Sequence, residues 1–525
     1  MQVSLTLLKV RNLKIYQTKT YFISIDSYKV VQDLKMIPKL AGVCVLWRRK
    51  DNTSSEEVEV LMIKRTQTLV FLPGHHAFPG GSIEDNDDPS IVAGDQPQKI
   101  KKALMGALRE TFEEVGYLPF PREVVACNLS DHIGKSPTEI FHNLVNSKTI
   151  KLDIRNYPFT GPWITPPGYP LRFETYFFFI EWKENYISVD ILSPKEVELV
   201  EWVKPSDILE RWHKREVSLS TPVAYILEHL ILFPIERAIS ELKVIPWTDN
   251  KYSYFHPRAG IHIFPLPCPE ETFFHNINCV IVGGKELLII DPGMEDTESV
   301  RELLYWFEHL TKLGLKFIGV TYTHLHKDHA GSIGLISRYF NIPIISPDKV
   351  LPTSSNKFSC IELDKEKYPW IVKILPTPGH TPTHYSFYET TTKTLVAGDM
   401  VSAEGPVVVN PDEGGDMGKY MDSLALLSEI DIDLLIPGHG IPFFFIKGNQ
   451  VIYNLIEHRK RREEKILNAL NKGASSIQEL LSIVYDDIPQ TRIELAKQQL
   501  KAHLIHLKSK GISFSLTDDE SREWF

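Results

Sequence analysis

The chain is poor in cysteine, with five in 525 residues. They are scattered and odd in number, and they lack the close spacings of zinc-binding cysteines. A disulfide framework is therefore excluded as the basis of the fold, and a reduced, cytoplasmic setting is the simpler expectation. The five are Cys44, Cys127, Cys268, Cys279 and Cys360.

The sequence also lacks a long apolar run. No segment reaches the roughly 20 apolar residues that a membrane helix needs, and Phe177–Ile180 predicts only a buried strand. Near the start of the chain, Lys9, Arg11 and Lys14 interrupt the apolar run, so it does not form the core of a secretory signal. We therefore expect no membrane partner.

An excess of positive charge is absent as well. The 58 Lys and Arg residues are outnumbered by 67 Asp and Glu, which gives a net charge of −9. Nucleic-acid binding would thus require a local basic patch. At this length we expect roughly two to four domains. The predicted division is an N-terminal extension 1–37, a first domain 38–235, a connector 236–254, a second domain 255–445 and a C-terminal domain 446–525.

The richest stretch chemically is Thr323–His329, which reads Thr-His-Leu-His-Lys-Asp-His. It follows the apolar run Phe317–Val320, so its three histidines and one aspartate are expected in a turn at the end of a strand. Imidazoles favour zinc and similar metals, and a carboxylate can complete a second site or act as a base. Because unpaired buried polar groups are costly, such a cluster predicts a bound ligand.

Three more polar residues each follow a short apolar run and stand directly next to a glycine. They are His380 after Pro378-Gly379, Asp399 after Gly398, and His439 between two glycines. Strand ends in a layered fold can face one rim, where glycine permits close approach of the backbone. Each residue alone is weak evidence, since a lone histidine is more often structural, but the ordered set predicts a metal site.

Between about residues 250 and 445 the chain resembles the metallo-β-lactamase fold hydrolases. Leu288–Gly293 is similar to the first motif of that family, whose aspartate, here Asp291, braces the metal loops. The resemblance implies an αββα sandwich that holds two metals. The residues it assigns are His324, His326 and His380 to the first metal, Asp328, His329 and His439 to the second, and Asp399 to both.

The same resemblance implies a hydrolase with two Zn²⁺ ions, or Mn²⁺ or Fe in their place. Two divalent ions about 3.5–4 Å apart lower the pKa of a bridging water and hold the substrate oxygen. The expected nucleophile is then the metal-bridging hydroxide. Asp328 is the expected catalytic carboxylate, which orients that hydroxide or accepts a proton.

A second candidate site lies on a predicted helix from Lys102 to Val115. Glu110, Glu113 and Glu114 stand at i, i+3 and i+4, so the three carboxylates share one face. Oxygen-only ligands suit Mg²⁺ or Mn²⁺, which favour phosphate substrates. The alternative is a solvated acidic face with Arg109 as an ion-pair partner, and the helix by itself leaves both open.

Residues from about 38 to 232 resemble the Nudix proteins, close to the coenzyme A diphosphatases. The resemblance rests on Arg109–Gly116, on the glycine loop Phe78–Gly81, and on the segment from Trp163 to Phe178. It implies a Nudix-like α/β/α sandwich that binds Mg²⁺ or Mn²⁺ through the three glutamates. It further implies that Glu110 polarises water and that Arg109 pins the loops around the helix.

The first domain departs from the Nudix pattern at two places. Lys101 stands where the family has a glutamate, and the acidic stretch Ser82–Gln98 separates the glycine loop from the helix. Two readings therefore stay open. The domain either cleaves a nucleoside diphosphate or coenzyme A derivative, or it is a binding or dimerising module, in which case the protein would be a homodimer.

The C-terminal region predicts three helices and a closing strand, as in a small winged-helix domain. The helices are Tyr453–Leu467, Ser476–Tyr485 and Ala496–Lys508. The first carries a basic cluster, a candidate contact for nucleic acid. The alternative is a solvated helix face balanced by neighbouring glutamates. The cluster consists of Arg459, Lys460, Arg461 and Arg462.

The second and C-terminal domains together resemble the β-lactamase-like protein 2 group, over about residues 255 to 515. Members of that group are single-strand endoribonucleases or hydrolases of unspecified substrate. The expected reaction is therefore cleavage of a phosphodiester in single-stranded RNA or a nucleotide. The alternative is hydrolysis of a thioester, glyoxalase II-like or acyl-coenzyme A, with the Nudix-like half as a non-catalytic binding module.

Overall fold

The computed structural model describes most of the chain from Ile37 onward. The predicted extension 1–37, apart from Ile37, lies outside the described residues, as does Cys127. Within the described part, no helix has the length and apolar character to cross a membrane. The described residues are 37–49, 57–121, 136–146, 152–166, 169, 171–188, 196–243, 253–268, 276–350, 358–365, 369–403, 405–444, 446–489, 492–517 and 524.

The first domain is built on a mixed sheet whose main path runs β11-β2-β1-β9-β8, with β3 and β4 paired to β2 and β1. β1 is central because it pairs in parallel with β9 and antiparallel with β2. Its strands are β1 (Lys39–Arg49), β2 (Val58–Arg65), β3 (His76–Ala77), β4 (Gly80–Ser82), β8 (Phe159–Ile164), β9 (Phe173–Glu181) and β11 (Val197–Val203). Outside this sheet lie β5 (Val92–Ala93) with β7 (Leu152–Asp153), and β6 (Tyr117–Pro121) with β10 (Tyr186–Ser188).

Alternation along β1 gives this sheet two apolar faces. Cys44 and Leu46 pack towards the first helix, whereas Val45 and Trp47 belong to the core on the opposite face. Phe177–Ile180 is part of β9, so the predicted buried strand is confirmed. The helices of this domain are α1 (Gln98–Val115), α2 (Pro137–Asn146), α3 (Pro205–His213), α4 (Thr221–Leu232) and α5 (Ile235–Glu241).

The second domain contains two half-sheets that meet at one residue pair. β14 pairs with β13 and β15, and it joins the other half-sheet through Ile277 and His439. One half comprises β12 (Phe255–Arg258), β13 (Ile261–Pro267), β14 (Asn276–Gly283), β15 (Glu286–Ile290) and β16 (Lys316–Thr321). The other comprises β17 (Ser359–Leu363), β18 (Trp370–Pro376), β19 (Tyr385–Glu389), β20 (Thr394–Ser402) and β21 (Leu434–His439).

Helices cover both outer faces of these half-sheets, in the predicted αββα order. On β20 and β21, Val396 and Ile436 belong to the central core, while Leu395 and Leu435 pack towards the helix beginning at Met417. The helices are α6 (Thr297–Lys312), α7 (Lys327–Ala330), α8 (Ile333–Phe340) and α9 (Met417–Ser428).

The central core continues without a break from the first domain into the second. Tyr225 on α4 lies in the same apolar cluster as Trp306 on α6, with ring centroids 5.9 Å apart. The predicted connector is not an open linker throughout, because α5 occupies its beginning and buries Ala238. Residues 244–252 of that connector lie outside the described residues.

The C-terminal domain consists of three helices around a small core of its own. All three predicted helices are present, each within a few residues of its expected bounds. The predicted closing strand is wrong for the described residues, because Ile512–Thr517 adopts no strand. In this segment Ile512 donates its backbone N–H to the Leu507 carbonyl and Thr517 donates to the Ser475 carbonyl. The helices are α10 (Gly448–Asn471), α11 (Ile477–Val484) and α12 (Ile493–Ser509).

Candidate metal centre

The polar residues singled out in the second domain meet at one edge of the two half-sheets. The turn after β16 carries His324 and His326, and the short helix α7 carries Asp328 and His329. From the other half-sheet come the remaining three, because β20 and β21 are parallel and end at the same edge. These three are His380 in the loop between β18 and β19, Asp399 in β20 and His439 at the end of β21.

One group of donor atoms surrounds His326. Its Nδ1 lies 2.9 Å from Nε2 of His324 and 3.3 Å from Nε2 of His380. Oδ2 of Asp399 completes the group, 3.5 Å from Nε2 of His380. The four donors all lie within 4.8 Å of one another, so the structure brings together the residues predicted to hold the first metal.

A second group shares Asp399. Its Oδ1 lies 3.4 Å from Nε2 of His329 and 3.4 Å from Nε2 of His439. Oδ2 of Asp328 is 3.6 Å from the same His439 nitrogen. The structure thus places Asp399 between the two groups, as expected for a residue that contacts both metals.

The distances and the burial of these donors fit divalent ions. Tetrahedral zinc with bonds of about 2.0–2.1 Å to nitrogen would hold its donors about 3.3 Å apart, close to the spacings observed. Nε2 of His329 and Oδ1 of Asp399 are buried and have no hydrogen-bond partner among the described residues. Since buried polar atoms are nearly always paired, these two atoms fit the donor set of a cation site.

The histidines are held in place through their other ring nitrogen. Nδ1 of His329 donates to Oδ2 of Asp291 at 2.9 Å, and Nδ1 of His439 donates to the Asn276 carbonyl at 3.0 Å. Asp291 also accepts from the backbone and hydroxyl of Thr323, next to His324. Its backbone φ is +52°, a strained conformation for a residue other than glycine. The structure therefore gives Asp291 the bracing position expected of it.

Charges in the centre are strongly coupled. Burial alone would raise the pKa of Asp399, but the neighbouring His439 and His329 hold it well below its ordinary value. Burial also opposes protonation of His439, whose pKa Asp399 nevertheless raises to about 10. By contrast, burial lowers the pKa of His324, so that this imidazole stays neutral and able to bind metal.

The loop after β20 closes the centre on one side. The Val408 carbonyl accepts a hydrogen bond from Nδ1 of His380 at 2.7 Å. Gly379 is needed beside it, because a Cβ there would lie 2.3 Å from Cα of Tyr420. His380 is therefore oriented by a loop that sequence patterns do not connect to it.

Two residues of the centre escaped the sequence analysis. Sγ of Cys268 lies 3.8 Å from Nδ1 of His439, and it forms a cluster with Asp328 and His439 within 4.8 Å. Nε2 of the buried His384 accepts from the backbone of Asp399 at 3.1 Å. No local pattern marks either residue, since both reach the centre only through strand pairing.

The carboxylates of the first domain converge in a different set from the one predicted. Glu110 and Glu114 come together with Glu196, which directly precedes β11, and one oxygen of each lies within 4.8 Å of the others. Glu113 lies outside this group; Nη1 of Arg109 is 3.2 Å from its Oε2 and 3.0 Å from Oε1 of Glu110. Glu196 has no signal in the sequence, because the pairing of β11 with β2 brings it to the helix.

Burial favours the protonated form of two of these carboxylates. Burial, with repulsion from Glu113, raises the pKa of Glu110 to about 7 despite the adjacent Arg109. Burial also raises the pKa of Glu114 well above its ordinary value. Bound Mg²⁺ or Mn²⁺ would let both ionise.

Arg109 is fully buried and holds the loop before α1. Its Nε and Nη2 donate to both carboxylate oxygens of the buried Asp87, and Nη2 also donates to the Ser82 carbonyl at 2.8 Å. The structure thus gives Arg109 the pinning position that was expected. Its main partner, Asp87, was not predicted, because it lies within the acidic stretch that reads as a surface loop.

The structure corrects the predicted basic cluster for two of its four members. Arg459 is 3% exposed and donates to Gln499 and the Val407 carbonyl. Arg462 is 8% exposed and pairs with Asp487. Arg462 faces the interior of the C-terminal domain and Arg459 faces its boundary with the metallo-β-lactamase domain. Of the four residues, only Lys460 and Arg461 are therefore exposed for contact with nucleic acid.

Comparisons with known proteins agree with this geometry. Residues 272–439 match the family model of the metallo-beta-lactamase superfamily, and residues 476–524 match that of the beta-lactamase associated winged helix domain. The chain therefore carries a metallo-β-lactamase superfamily hydrolase domain. The metallo-β-lactamase and winged-helix parts of the predicted fold class and the superfamily of the predicted hydrolase are confirmed.

Curated relatives match the same half of the chain. An atrochrysone carboxyl ACP thioesterase of Aspergillus chevalieri is 24% identical over 269 residues, covering 47% of this chain and 80% of that protein. A beta-lactamase-like protein 2 homolog of Caenorhabditis elegans is 25% identical over 252 residues, covering 46% of this chain and 82% of that protein. A lactamase-like protein nscB of Trichophyton verrucosum is 27% identical over 284 residues, covering 47% of this chain and 93% of that protein.

Solved structures resemble each half separately. A NUDIX hydrolase from Alicyclobacillus acidocaldarius is 25% identical with a TM-score of 0.31, covering 39% of this chain and 96% of that chain. A beta-lactamase domain protein from Burkholderia ambifaria is 21% identical with a TM-score of 0.40, covering 49% of this chain and 88% of that chain. These TM-scores are too low to support an assignment, so the Nudix-like character of the first domain stays a prediction.

Proposed function

We propose that the metallo-β-lactamase domain is a dinuclear metal-dependent hydrolase. The observation that supports this most is the pair of donor groups sharing Asp399, with buried atoms of His329 and Asp399 left unpaired. In this proposal His324, His326 and His380 hold one ion, and Asp328, His329 and His439 hold the other. When bound, two such ions supply Lewis-acid activation of water and of the substrate oxygen.

The side chains of the centre have distinct roles in this proposal. Asp291 fixes the tautomer of His329 by accepting its Nδ1 proton, and the Val408 carbonyl does the same for His380. Asp328 is 23% exposed, the most open carboxylate of the centre. Its Oδ2 is therefore placed to accept a proton from water as it attacks the substrate.

For the substrate we propose a thioester, such as an acyl-coenzyme A or an acyl carrier protein conjugate. One relative matching this half is named as an acyl carrier protein thioesterase. The structure also weakens the case for RNA, because Arg459 and Arg462 are buried and take no part in an exposed basic surface. A phosphodiester in single-stranded RNA or a nucleotide is the second candidate, favoured by Lys460 and Arg461 on the outside of α10.

A hydrolysis assay separates these candidates. The purified protein is incubated with acyl-coenzyme A and with single-stranded RNA, each with Zn²⁺, Mn²⁺ or Mg²⁺, and compared with His326→Ala. Thioester cleavage that the variant loses supports the proposal. RNA cleavage lost in the same variant moves the protein to the nuclease reading, and activity retained after metal removal would falsify the dinuclear proposal altogether.

We propose a second activity for the first domain, cleavage of a nucleoside diphosphate or coenzyme A derivative with Mg²⁺ or Mn²⁺. The convergence of Glu110, Glu114 and Glu196 supports it. The Lys101 departure from the Nudix pattern is the reason to test it directly. Mg²⁺-dependent hydrolysis of the diphosphate in ADP-ribose or coenzyme A to two phosphomonoesters, lost in Glu114→Gln, is the expected result, whereas no cleavage by the wild type would leave this domain as a binding module.

A further inference from the structure

A cavity of about 620 Å³ lies where the first domain faces the metallo-β-lactamase domain. This volume is within the range of small-molecule binding sites, roughly 300–1,000 Å³. The first domain contributes its sheet, the glycine loop and the segment Arg215–Val223. The metallo-β-lactamase domain contributes Pro257–Ala259, Thr391–Thr392, Leu434 and Phe444.

The cavity wall carries three arginines. They are Arg65, Arg215 and Arg258, and none of the lining residues is Asp or Glu, although Oδ2 of Asp433, outside the wall, lies 4.0 Å from Nη1 of Arg258. Nε and Nη2 of Arg215 are buried and have no hydrogen-bond partner among the described residues, and Nε of Arg65 is in the same state. Buried unpaired guanidinium groups are costly, so the wall favours an anionic ligand.

The second domain holds two of these arginines in place. The guanidinium of Arg215 lies over the ring of Trp370, 4.1 Å from its centroid. Arg258 belongs to β12 and donates through Nη1 to the Thr392 carbonyl at 2.6 Å. The positive charge of the cavity therefore depends on contacts made by the metallo-β-lactamase domain.

Aromatic rings from both domains form the rest of the wall. Tyr169 of the first domain contacts Phe444 of the second, with centroids 5.3 Å apart. Phe71 and Phe173 meet edge to face at 4.9 Å, and Trp163 is buried behind them. Such surfaces favour a flat aromatic ring, which can stack on them.

The cavity also borders the carboxylate group of the first domain. Gly80 and Gly81 line it, and Gly80 donates its backbone N–H to Oε2 of Glu114 at 2.9 Å. A Cβ at Gly81 would lie 2.6 Å from Cδ of Glu110, so only glycine permits this approach. A ligand phosphate here would sit within reach of a cation held by the carboxylates.

We propose that this cavity is one ligand site shared by the two domains, for a ligand that joins an aromatic ring to a phosphate or diphosphate. Arg215 and Arg258 bind the anionic part, and Phe444 covers the ring from the second domain. The class of ligand rests on the diphosphate cleavage proposed above for the first domain, whereas the wall shared with the second domain goes beyond it and can be tested by binding alone, because binding requires no cleavage.

Calorimetric titration of the full chain tests this proposal, with ADP and inorganic pyrophosphate as probes. The variants are Arg215→Met, Arg258→Met and Phe444→Ala, with Arg215→Lys to retain the charge. Arg237→Met is the control, since Arg237 lies outside the cavity, exposed on α5 beside Glu241. All titrations use the otherwise unchanged chain with a chelator and without added metal, so that no probe is cleaved.

We expect saturable ADP binding that either arginine-to-methionine change weakens by roughly tenfold or more. Phe444→Ala should weaken ADP but leave pyrophosphate unchanged, and Arg237→Met should match the parent. Circular dichroism and thermal melting identify variants that fail to fold. If Arg215→Met fails, Arg215→Lys replaces it, and we expect this variant to retain part of the ADP affinity of the parent.

Three results would overturn the proposal. They are no saturable ADP binding by the parent, ADP binding no tighter than pyrophosphate, and binding by the two arginine variants equal to that of the control. Failure of the proposed hydrolysis is distinguishable, because loss of activity in His326→Ala with unchanged ADP affinity concerns the metal centre alone.

Discussion

The Val407 carbonyl accepts a hydrogen bond from the Arg459 guanidinium at 2.6 Å, across the boundary between the metallo-β-lactamase and C-terminal domains. Gln499 on α12 donates to the same oxygen at 3.4 Å. The next residue, Val408, accepts from Nδ1 of His380 at 2.7 Å. Two consecutive carbonyls therefore link the C-terminal domain to a predicted metal ligand, which makes Arg459 a positioning residue.

Replacing Arg459 by methionine should disturb the metal centre. Because the Val407–Val408 segment loses its main anchor, we expect kcat to fall by about 10–100-fold with a smaller change in KM. The d–d absorption of the Co²⁺-loaded protein should shift, which a purely structural role far from the metal would not cause. Arg461→Met on the exposed side of α10 is the matched control, and an unchanged Co²⁺ spectrum in Arg459→Met would contradict the positioning role.

Replacing His326 by alanine should remove a donor central to the first group. We expect bound zinc to fall from two ions per chain and hydrolysis to fall by at least roughly 100-fold. Metal analysis by mass spectrometry, with activity measured in parallel, checks both. Two zinc ions retained after the substitution would show that His326 is not a ligand.

Replacing Asp291 by asparagine should affect the second group without removing a donor. The carboxylate accepts from the Thr323 hydroxyl and Nδ1 of His329 at Oδ2 and from the Thr323 backbone at Oδ1. The amide has only one acceptor oxygen and cannot serve both positions, so His329 loses its orientation. We expect the zinc affinity of the weaker site to fall by about 10–100-fold. Competition with a chromogenic chelator measures this affinity, and a value equal to that of the wild type would remove the bracing role.

Replacing Glu114 by glutamine should weaken Mg²⁺ or Mn²⁺ binding in the first domain. The neutral amide removes one of three converging charges, while Gly80 can still donate to its oxygen. We expect Mn²⁺ affinity, followed by electron paramagnetic resonance, to fall at least tenfold. Glu113→Gln is the informative comparison, because its side chain pairs with Arg109, and an equal loss there would restore it to the ligand set.

Acid should destabilise the contact between the first two domains. Burial lowers the pKa of His229 and of His213 from 6.5 to about 4. Between these values the unfolded chain binds protons that the folded chain does not, so the free energy of unfolding falls as pH falls from 6.5 towards 4. The expected loss is about 2 kcal/mol per residue at pH 5 relative to pH 7.

Urea unfolding at the two pH values measures this loss. His229→Gln should remove the contribution of one histidine to this loss, so that the free energy of unfolding depends less strongly on pH. His142→Gln, which lies outside this cluster on α2, should leave the slope unchanged. If the free energy of unfolding of His229→Gln depends on pH as strongly as that of the wild type, protonation of other groups causes the loss of stability.

The sequence was informative wherever chemistry and local order coincide. The spacing of His324, His326 and His329 is set by a single turn, so the type of site can be predicted from neighbouring residues. The rest of that ligand set was recognised from the order of short strand-end motifs, and the structure brings His380, Asp399 and His439 to the same edge. The helix bearing Glu110 and Glu114 was predicted for the same reason, since helical periodicity is local.

Other features depended on contacts between distant segments. Periodicity put Glu113 on the same face as Glu114, yet the carboxylate that converges with Glu110 and Glu114 is Glu196, which strand pairing brings to the helix. The run of basic residues in α10 looked like a surface patch, yet helix packing buries Arg459. A residue's charge is fixed by the sequence, but its partner is fixed by packing.

By itself, the sequence determined the kinds of atoms available, their order, and the fold family that could bring them together. Only the tertiary structure decided which carboxylates converge, which arginines are buried, and that the cavity is walled by two domains. The physical reason is the distance along the chain over which each effect acts. Motif spacing and helical periodicity act over a few residues, whereas burial and convergence arise from contacts between segments far apart in the chain.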